Sequence, residues 1–318
     1  MPIRSISAAL LILFLMGCTH SLSTKELPPP AGTLYDYHIE SSGGAPYSLN
    51  ELANAVANAD VVLVGEWHTH PGVHLFQTQL LATLASRHPA TVLSMEQFTR
   101  ADQAIINSYL AGDFGENSLL SKTSKWSNYE GSYRPLVEYA KAQSLPVIAS
   151  NAPIEIVRCI GREGKAYLDR LPQDKRGLVA ETLTDGESPY KAKFFAAMFH
   201  GDEEKTANQY LAQLAWDDTM AESIVNYLAD NPGDKVIHIA GAFHVEDGLG
   251  IASRIAKRNP ALNIAIISPQ TEDAPLADTI KDFRLVVNPL PKQWLSEEEM
   301  SQALSSMRHS TGTSLTCP

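Results

Sequence analysis

The chain has 318 residues, 44% of them hydrophobic, and a formal net charge of −11. That apolar fraction suits a folded protein with a real core, and the acidic balance without a basic patch excludes nucleic acid as a partner. Past the leader, no stretch is long and apolar enough to span a bilayer.

The leader is "MPIRSISAALLILFLMGCTH". One basic residue, Arg4, precedes a short apolar run and a small residue before cysteine, the anatomy of a secretory signal over residues 1–17. "LMGC" resembles the bacterial lipobox, in which the leader is cut before a cysteine that is then lipidated. Cys18 is therefore expected to be the first mature residue and a membrane anchor, since several acyl chains hold a protein at a bilayer without a transmembrane helix. Thr19 stands where an aspartate commonly retains such proteins at the inner membrane, so the expected location is the bacterial outer membrane, facing the periplasm. Residues 18–34, with "LPPPAG" inside, read as a tether, because consecutive prolines stay extended and solvated. Cys159 and Cys317 are the remaining cysteines. An oxidising compartment permits a bridge between them, but their separation alone does not decide it.

From Tyr35 onward, short β-branched runs alternate with stretches of helical period, which predicts an α/β fold with a mostly parallel sheet flanked by helices. The expected strands are 60–65, 91–96, 146–151, 235–241, 262–268 and 283–289. The expected helices between them are 72–87, 101–111, 133–144 and 246–258. Residues 154–231 hold no convincing strand but carry apolar residues at helical spacing. They are read as an all-helical insertion domain, with 35–153 and 232–290 forming the sheet domain and 291–318 a polar tail.

In open α/β sheets, ligands bind beyond the carboxyl ends of the strands. Ionisable or polar residues stand at four such exits: Glu66 and His68 after the first strand, Glu96 after the second, Asn151 after the third and His244 after the fourth. The first and fourth exits share G-x-x-H, in which glycine lets the chain turn sharply and the histidine fold back over the sheet edge. These exits are expected to build one site. Pro71 suits the first turn of a helix, so His70 precedes that helix and His74 lies in its opening turn, on the rim of the crevice. H-x-H-x₃-H also resembles a zinc-ligand spacing, without fixed tetrahedral geometry or residues to orient the ligating rings visible in the sequence. Tyr129, Tyr133 and Arg134 stand where the helix before the third strand begins, near the same edge. No G-x-S-x-G, P-loop or Rossmann glycine pattern occurs.

"LVGEWHTHPGVH", "SMEQF", "PVIASNAP", "QLAWDDTMAESI" and "IAGAFHVEDGLG" together resemble the ChaN group of haem-binding, iron-regulated lipoproteins, within the Tiki/TraB/erythromycin-esterase superfamily. The likeness runs over roughly 50–290. Gln213, Trp216, Asp217, Met220 and Ala221 form its most specific piece. It implies a parallel-sheet domain carrying a smaller helical domain, haem at a homodimer interface and tyrosine among the iron ligands, and an outer-membrane haem receptor is a candidate partner.

Haem is a flat apolar ligand whose ferric iron suits a tyrosinate donor. Phe194, Phe195, Met198 and Phe199 offer it apolar cover, and the lack of C-x-x-C-H argues against covalent attachment. The expected haem site is Glu66, His68, Glu96, Tyr129, Tyr133 and His244. Tyr129 or Tyr133 ligates iron, Tyr190 and Tyr210 stand in reserve, and His68 or His244 assists by hydrogen bonding. The alternative is a metal-dependent hydrolase in which Glu66, His68, Glu96 and His244 hold a divalent ion or activate water.

Overall fold

The computed structural model describes residues 32–124, 126–199, 201–276, 282–310 and 317. The signal, Cys18 and all but the end of the tether lie outside the described residues. The strands are β1 (Tyr37–Glu40), β2 (Pro46–Tyr47), β3 (Val61–Glu66), β4 (Thr91–Thr99), β5 (Val147–Asn151), β6 (Lys235–Gly241), β7 (Ile264–Gln270) and β8 (Phe283–Val287). They form one eight-stranded sheet in the order β2-β1-β8-β7-β3-β6-β4-β5. From β8 to β5 every pairing is parallel, whereas β1 joins β8 and β2 antiparallel.

The six expected strands correspond to β3 through β8. All six residues of β3 are buried, as a central parallel strand covered on both faces requires, and such strands read in sequence as continuous apolar runs. The two strands not anticipated, β1 and β2, are four and two residues long and mostly half-buried, so they carry little of that signal.

Alternation along the strands divides the core. Val62, Val64, Leu93, Met95, Ile237 and Ile239 pack with Val73, Phe76, Leu80 and Leu81 of the helix Pro71–Arg87. Val61, Leu63, Val92, Val236 and Ala240 face the other way. They meet Met220 and Ile224 of the helix Glu203–Asp230 and Ile251 and Ile255 of the helix Ile251–Arg258. Each such aliphatic side chain contributes about 1.5–3 kcal/mol by leaving water.

Between β5 and β6 the described residues are helical or irregular, with helices Ile154–Glu163, Pro189–Met198 and the 28-residue Glu203–Asp230 among them. The last spans two packing environments. Tyr210, Leu214 and Ala215 join a separate apolar cluster with Ile156, Tyr190 and Phe194, while its later turns cover the sheet. Cys159 and Cys317 form a disulfide with Cα atoms 5.6 Å apart. The tail, read as merely polar, contains the helix Glu297–Ser310.

The strand order creates the crevice. The connection leaving β3 passes β6 to reach β4, whereas the connection leaving β6 passes β3 to reach β7. Adjacent chains therefore depart in opposite directions at the carboxyl ends of β3 and β6, where Glu66 pairs in register with Gly241. A topological switch of this kind opens a cleft for ligands.

Candidate functional site

Glu66 ends β3 and is 1% exposed. Its Oε1 accepts from Tyr133 Oη at 2.7 Å and Gln97 Nε2 at 3.0 Å and lies 2.8 Å from His68 Nδ1, while Oε2 accepts from Gln77 Nε2 at 2.8 Å. Burial pushes its pKa up, but the His68 hydrogen bond and the charges of His74 and His68 outweigh that and hold it below the ordinary value. Glu66 is accordingly a fixed anion, because hydrogen bonds to the charged form favour it.

His68 turns back over the edge after Gly65. Its backbone carbonyl is held by His74 Nε2 at 3.0 Å and by Asn128 Nδ2, and its ring meets the edge of Trp126 at 4.7 Å between centroids. Burial lowers its basicity, yet the Glu66 hydrogen bond and the charges of Glu96 and Glu66 raise its pKa overall.

His74 is not on the rim. It is buried at 5% exposure, 3.0 Å from Gln77 Oε1, and supports the turn from behind. His70 is the helix N-cap, accepting from Val73 N, and its Nε2 lies 2.7 Å from the Asn288 carbonyl. The three histidines of H-x-H-x₃-H thus have three different tasks. Among the described residues, no group of three His, Cys, Asp or Glu side chains is placed to hold a metal ion.

On the β6 side, Gly241 N donates to Glu96 Oε2 at 2.6 Å, and Glu96 Oε1 stands 3.7 Å from His244 Nε2. The β4 register shifts between Met95 and Thr99. Within this irregular stretch consecutive residues serve both halves of the site: Gln97 reaches Glu66 and Glu96 reaches Gly241. Asn151 acts at one remove, donating from Nδ2 to the Glu96 carbonyl at 3.0 Å.

His244 Nδ1 lies 2.7 Å from Asp217 Oδ1, and Asp217 Oδ2 accepts from Tyr190 Oη at 2.7 Å. Burial lowers the His244 pKa, but the charges of Asp217 and Glu96 raise it to about 9. Gly250 matters for space, since a Cβ there would sit 2.1 Å from the His244 carbonyl oxygen. Glu66, His68, Glu96 and His244 are thus gathered around Gly241.

The candidate tyrosines face inward. Tyr129, Tyr133, Tyr190 and Tyr210 are 1%, 0%, 2% and 1% exposed. Burial raises the phenol pKa of Tyr129, Tyr133 and Tyr190, and for the last two the carboxylates they bind, Glu66 and Asp217, raise it further. Each of these rings packs in the core, and Tyr133 and Tyr190 donate to the buried carboxylates of Glu66 and Asp217.

Asp217, Gln77 and Gln97 were not among the expected site residues. The available signal for Asp217 was its place with Gln213 at i, i+4 on an otherwise apolar helix face.

A groove of about 680 Å³ adjoins the β6 exit, lined by Arg158, Arg162, Phe194, Met198, Lys205 and Trp216 among others. Gln213, also in its lining, lies 3.0 Å from His244 Nδ1, so groove and strand exits meet at His244. Met198 is 41% and Phe199 51% exposed.

Among known proteins, the solved structure titled for cofacial haem binding to ChaN of Campylobacter jejuni is similar at a TM-score of 0.61 and 15% identity, over 80% of this chain and 98% of that one. That likeness is one of fold. A mutant of the erythromycin esterase EreC, in its open conformation, gives a TM-score of 0.45 at 14% identity, over 85% of this chain and 87% of that one, a likeness too slight to build on. Protein RETICULATA-RELATED 5, chloroplastic, of Arabidopsis thaliana is 24% identical over 208 residues, which is 58% of this chain but only 28% of that protein. The family model for haem-binding uptake proteins of the Tiki superfamily, ChaN, matches residues 52–255, well over half of the chain, and the chain belongs to that family.

Proposed function

We propose that this protein binds haem non-covalently in the crevice at the carboxyl edge of the sheet and handles it in haem or iron uptake. The observation that carries the reading is the junction of two unlike walls at His244. One wall is the apolar groove with Phe194, Met198 and Trp216; the other is the set of strand exits with His68 and its buried carboxylate. About 680 Å³ falls within the ~300–1,000 Å³ typical of small-molecule sites. Arg158, Arg162 and Lys205 along the groove suit propionate carboxylates. Phe194, Met198 and Trp216 would give haem apolar cover and the cationic side chains charge and orientation, while the bound group would supply the iron chemistry.

The same proposal places the protein at the bacterial outer membrane, anchored through Cys18 and facing the periplasm, as a homodimer exchanging haem with an outer-membrane receptor. "LMGC" supports the anchor, and the Cys159–Cys317 bridge suits an oxidising compartment. The test is titration of purified protein with haemin, with metal analysis of the same sample. A saturable change in the visible spectrum is expected, and its absence would refute the reading.

A second reading, hydrolysis, is favoured by one specific observation. His68 and His244 each have a buried carboxylate at Nδ1, Glu66 at 2.8 Å and Asp217 at 2.7 Å, and both rings border Gly241. Paired imidazoles oriented in this way suit general acid–base work, with Glu96 beside them. Turnover of activated esters that vanishes in both His68→Ala and His244→Ala would establish it, and inert protein that still binds haemin would dismiss it.

A further inference from the structure

A second cavity lies at the opposite end of the sheet from the crevice. Lys235 and Thr91, the first residues of β6 and β4, pair in register and line it. Gly241 ends the same seven-residue strand, about 20 Å away at ~3.3 Å per residue. The cavity, of about 250 Å³, is therefore separate from the groove and strand exits proposed for haem.

Its floor is apolar. Ala53, Val56, Val62 and Ile237, each at most 3% exposed, line it together with the half-buried Leu84. They come from the helix Leu49–Ala55 and its C-cap, the helix Pro71–Arg87, and the β3 and β6 positions those helices cover.

Its remaining lining is cationic. Arg87, His88 and Lys235 are present and no aspartate or glutamate is, in a chain whose net charge is −11. The groove at the β6 exit, by contrast, sets Asp202 and Glu204 among its cations. Lys235 Nζ donates to the carbonyls of Ala57 and Ala59, and Arg87 donates through Nη1 and Nη2 to Asn50 and Asn54. Those neutral partners hold both side chains in place without cancelling their charge. An ammonium has three N–H groups and a guanidinium five, so each keeps donors for a ligand. His88 Nδ1 is buried with no hydrogen-bond partner among the described residues, a cost that a polar ligand group can relieve.

Two helix ends limit the ligand's charge. Val56 and His88 are the C-caps of Leu49–Ala55 and Pro71–Arg87, and helix C-termini carry partial negative charge. They disfavour a phosphate dianion, whereas a single carboxylate is matched by Arg87 and Lys235. The volume falls just below the ~300 Å³ lower end of drug-sized sites, which restricts the rest of the molecule to a short hydrocarbon.

We propose that this cavity binds a small carboxylic acid with an apolar body, such as a medium-chain fatty acid, with Arg87 and Lys235 on the carboxylate and the hydrocarbon against Val56, Val62 and Ile237. The site does not depend on the haem reading. An acyl chain esterified in a lipid offers the same body without the charge, so charge dependence separates the free acid from the lipid.

The test titrates the full mature chain with sodium octanoate, 1-octanol and octylammonium chloride, read by calorimetry and thermal melting. Octanoate should bind saturably and raise the melting temperature, as a ligand selective for the folded state does. Octanol, standing for an uncharged acyl chain, and octylammonium should each bind at least about tenfold more weakly. Ala53→Leu and Leu84→Phe fill the cavity from a buried and a half-buried position and should abolish binding. Arg87→Met and Lys235→Met keep an apolar stem and should each weaken it about tenfold. Octanoate binding that survives in a filling variant with a cooperative melt overturns the proposal, as does octanol binding as tight as octanoate, displacement of octanoate by haemin, or no saturable octanoate signal in the wild type. If neither filling variant folds, undiminished binding in the variant carrying both Arg87→Met and Lys235→Met overturns it.

Discussion

Gly241 lies against the ring of His68: a methyl group at 241 would meet Cε1 at 2.9 Å and Nε2 at 3.0 Å. Its φ of −52° and ψ of 142° are open to any residue, so what the position demands is room. Gly241→Ala should displace the ring at an overpacking cost of about 1–3 kcal/mol and weaken haemin binding about tenfold or more. Gly112→Ala, at a glycine with nothing within 4 Å of its added Cβ but a φ of +87°, should cost stability without touching haemin affinity. Chemical denaturation and haemin titration of both variants check this.

Glu66 gathers Tyr133, Gln97, Gln77 and His68. Glu66→Ala removes the anion and leaves buried donors unpaired, with an expected loss of about 3–5 kcal/mol. Tyr133→Phe deletes one donor and should cost only about 1–3 kcal/mol. Urea unfolding of the two variants should show that order.

The His244 pKa, raised to about 9 by Asp217 and Glu96 against the effect of burial, makes stability depend on pH. A group whose folded pKa exceeds its unfolded one stabilises fully below the unfolded value, near 6.5, and the contribution fades as pH rises through about 9. Stability should therefore fall between roughly pH 6.5 and 9 by on the order of 3 kcal/mol. Asp217→Asn should flatten that slope. Denaturation midpoints measured across this range decide it.

The Cys159–Cys317 bridge closes a long loop between the first helix after β5 and the chain's end. Reduction should cost about 2–4 kcal/mol and render the segment after β8 sensitive to protease. Melting with and without a dithiol reductant, with peptide mapping under non-reducing conditions, measures both.

Cys18→Ala should leave the protein unprocessed or released from membranes, because the apolar segment before it is too short to span a bilayer. Fractionation of cells expressing the variant checks this; unchanged partition into the membrane fraction would remove the anchor.

The sequence by itself determined the sheet's central strands, the helix that opens at Pro71 and the marking of two strand exits by G-x-x-H. The reason is local: strands buried on both faces must be continuously apolar, and a proline fits a first helical turn. It did not determine which exits are neighbours. Only the tertiary order, with β6 inserted between β3 and β4, sets Gly241 beside Glu66 and His68. Nor did it show that an irregular β4 turns Glu96 and Gln97 to opposite halves of the site, or that Asp217 reaches His244 from a helix 27 residues earlier. Chain position brought Tyr133 to the strand exit of Glu66, but the direction of a side chain depends on what packs around it. Hydrogen bonds to Glu66 and Asp217 turned Tyr133 and Tyr190 inward. Periodicity reports which face of an element is apolar; which polar group meets which across the molecule is fixed by long-range pairing, and that exists only once the chain has folded.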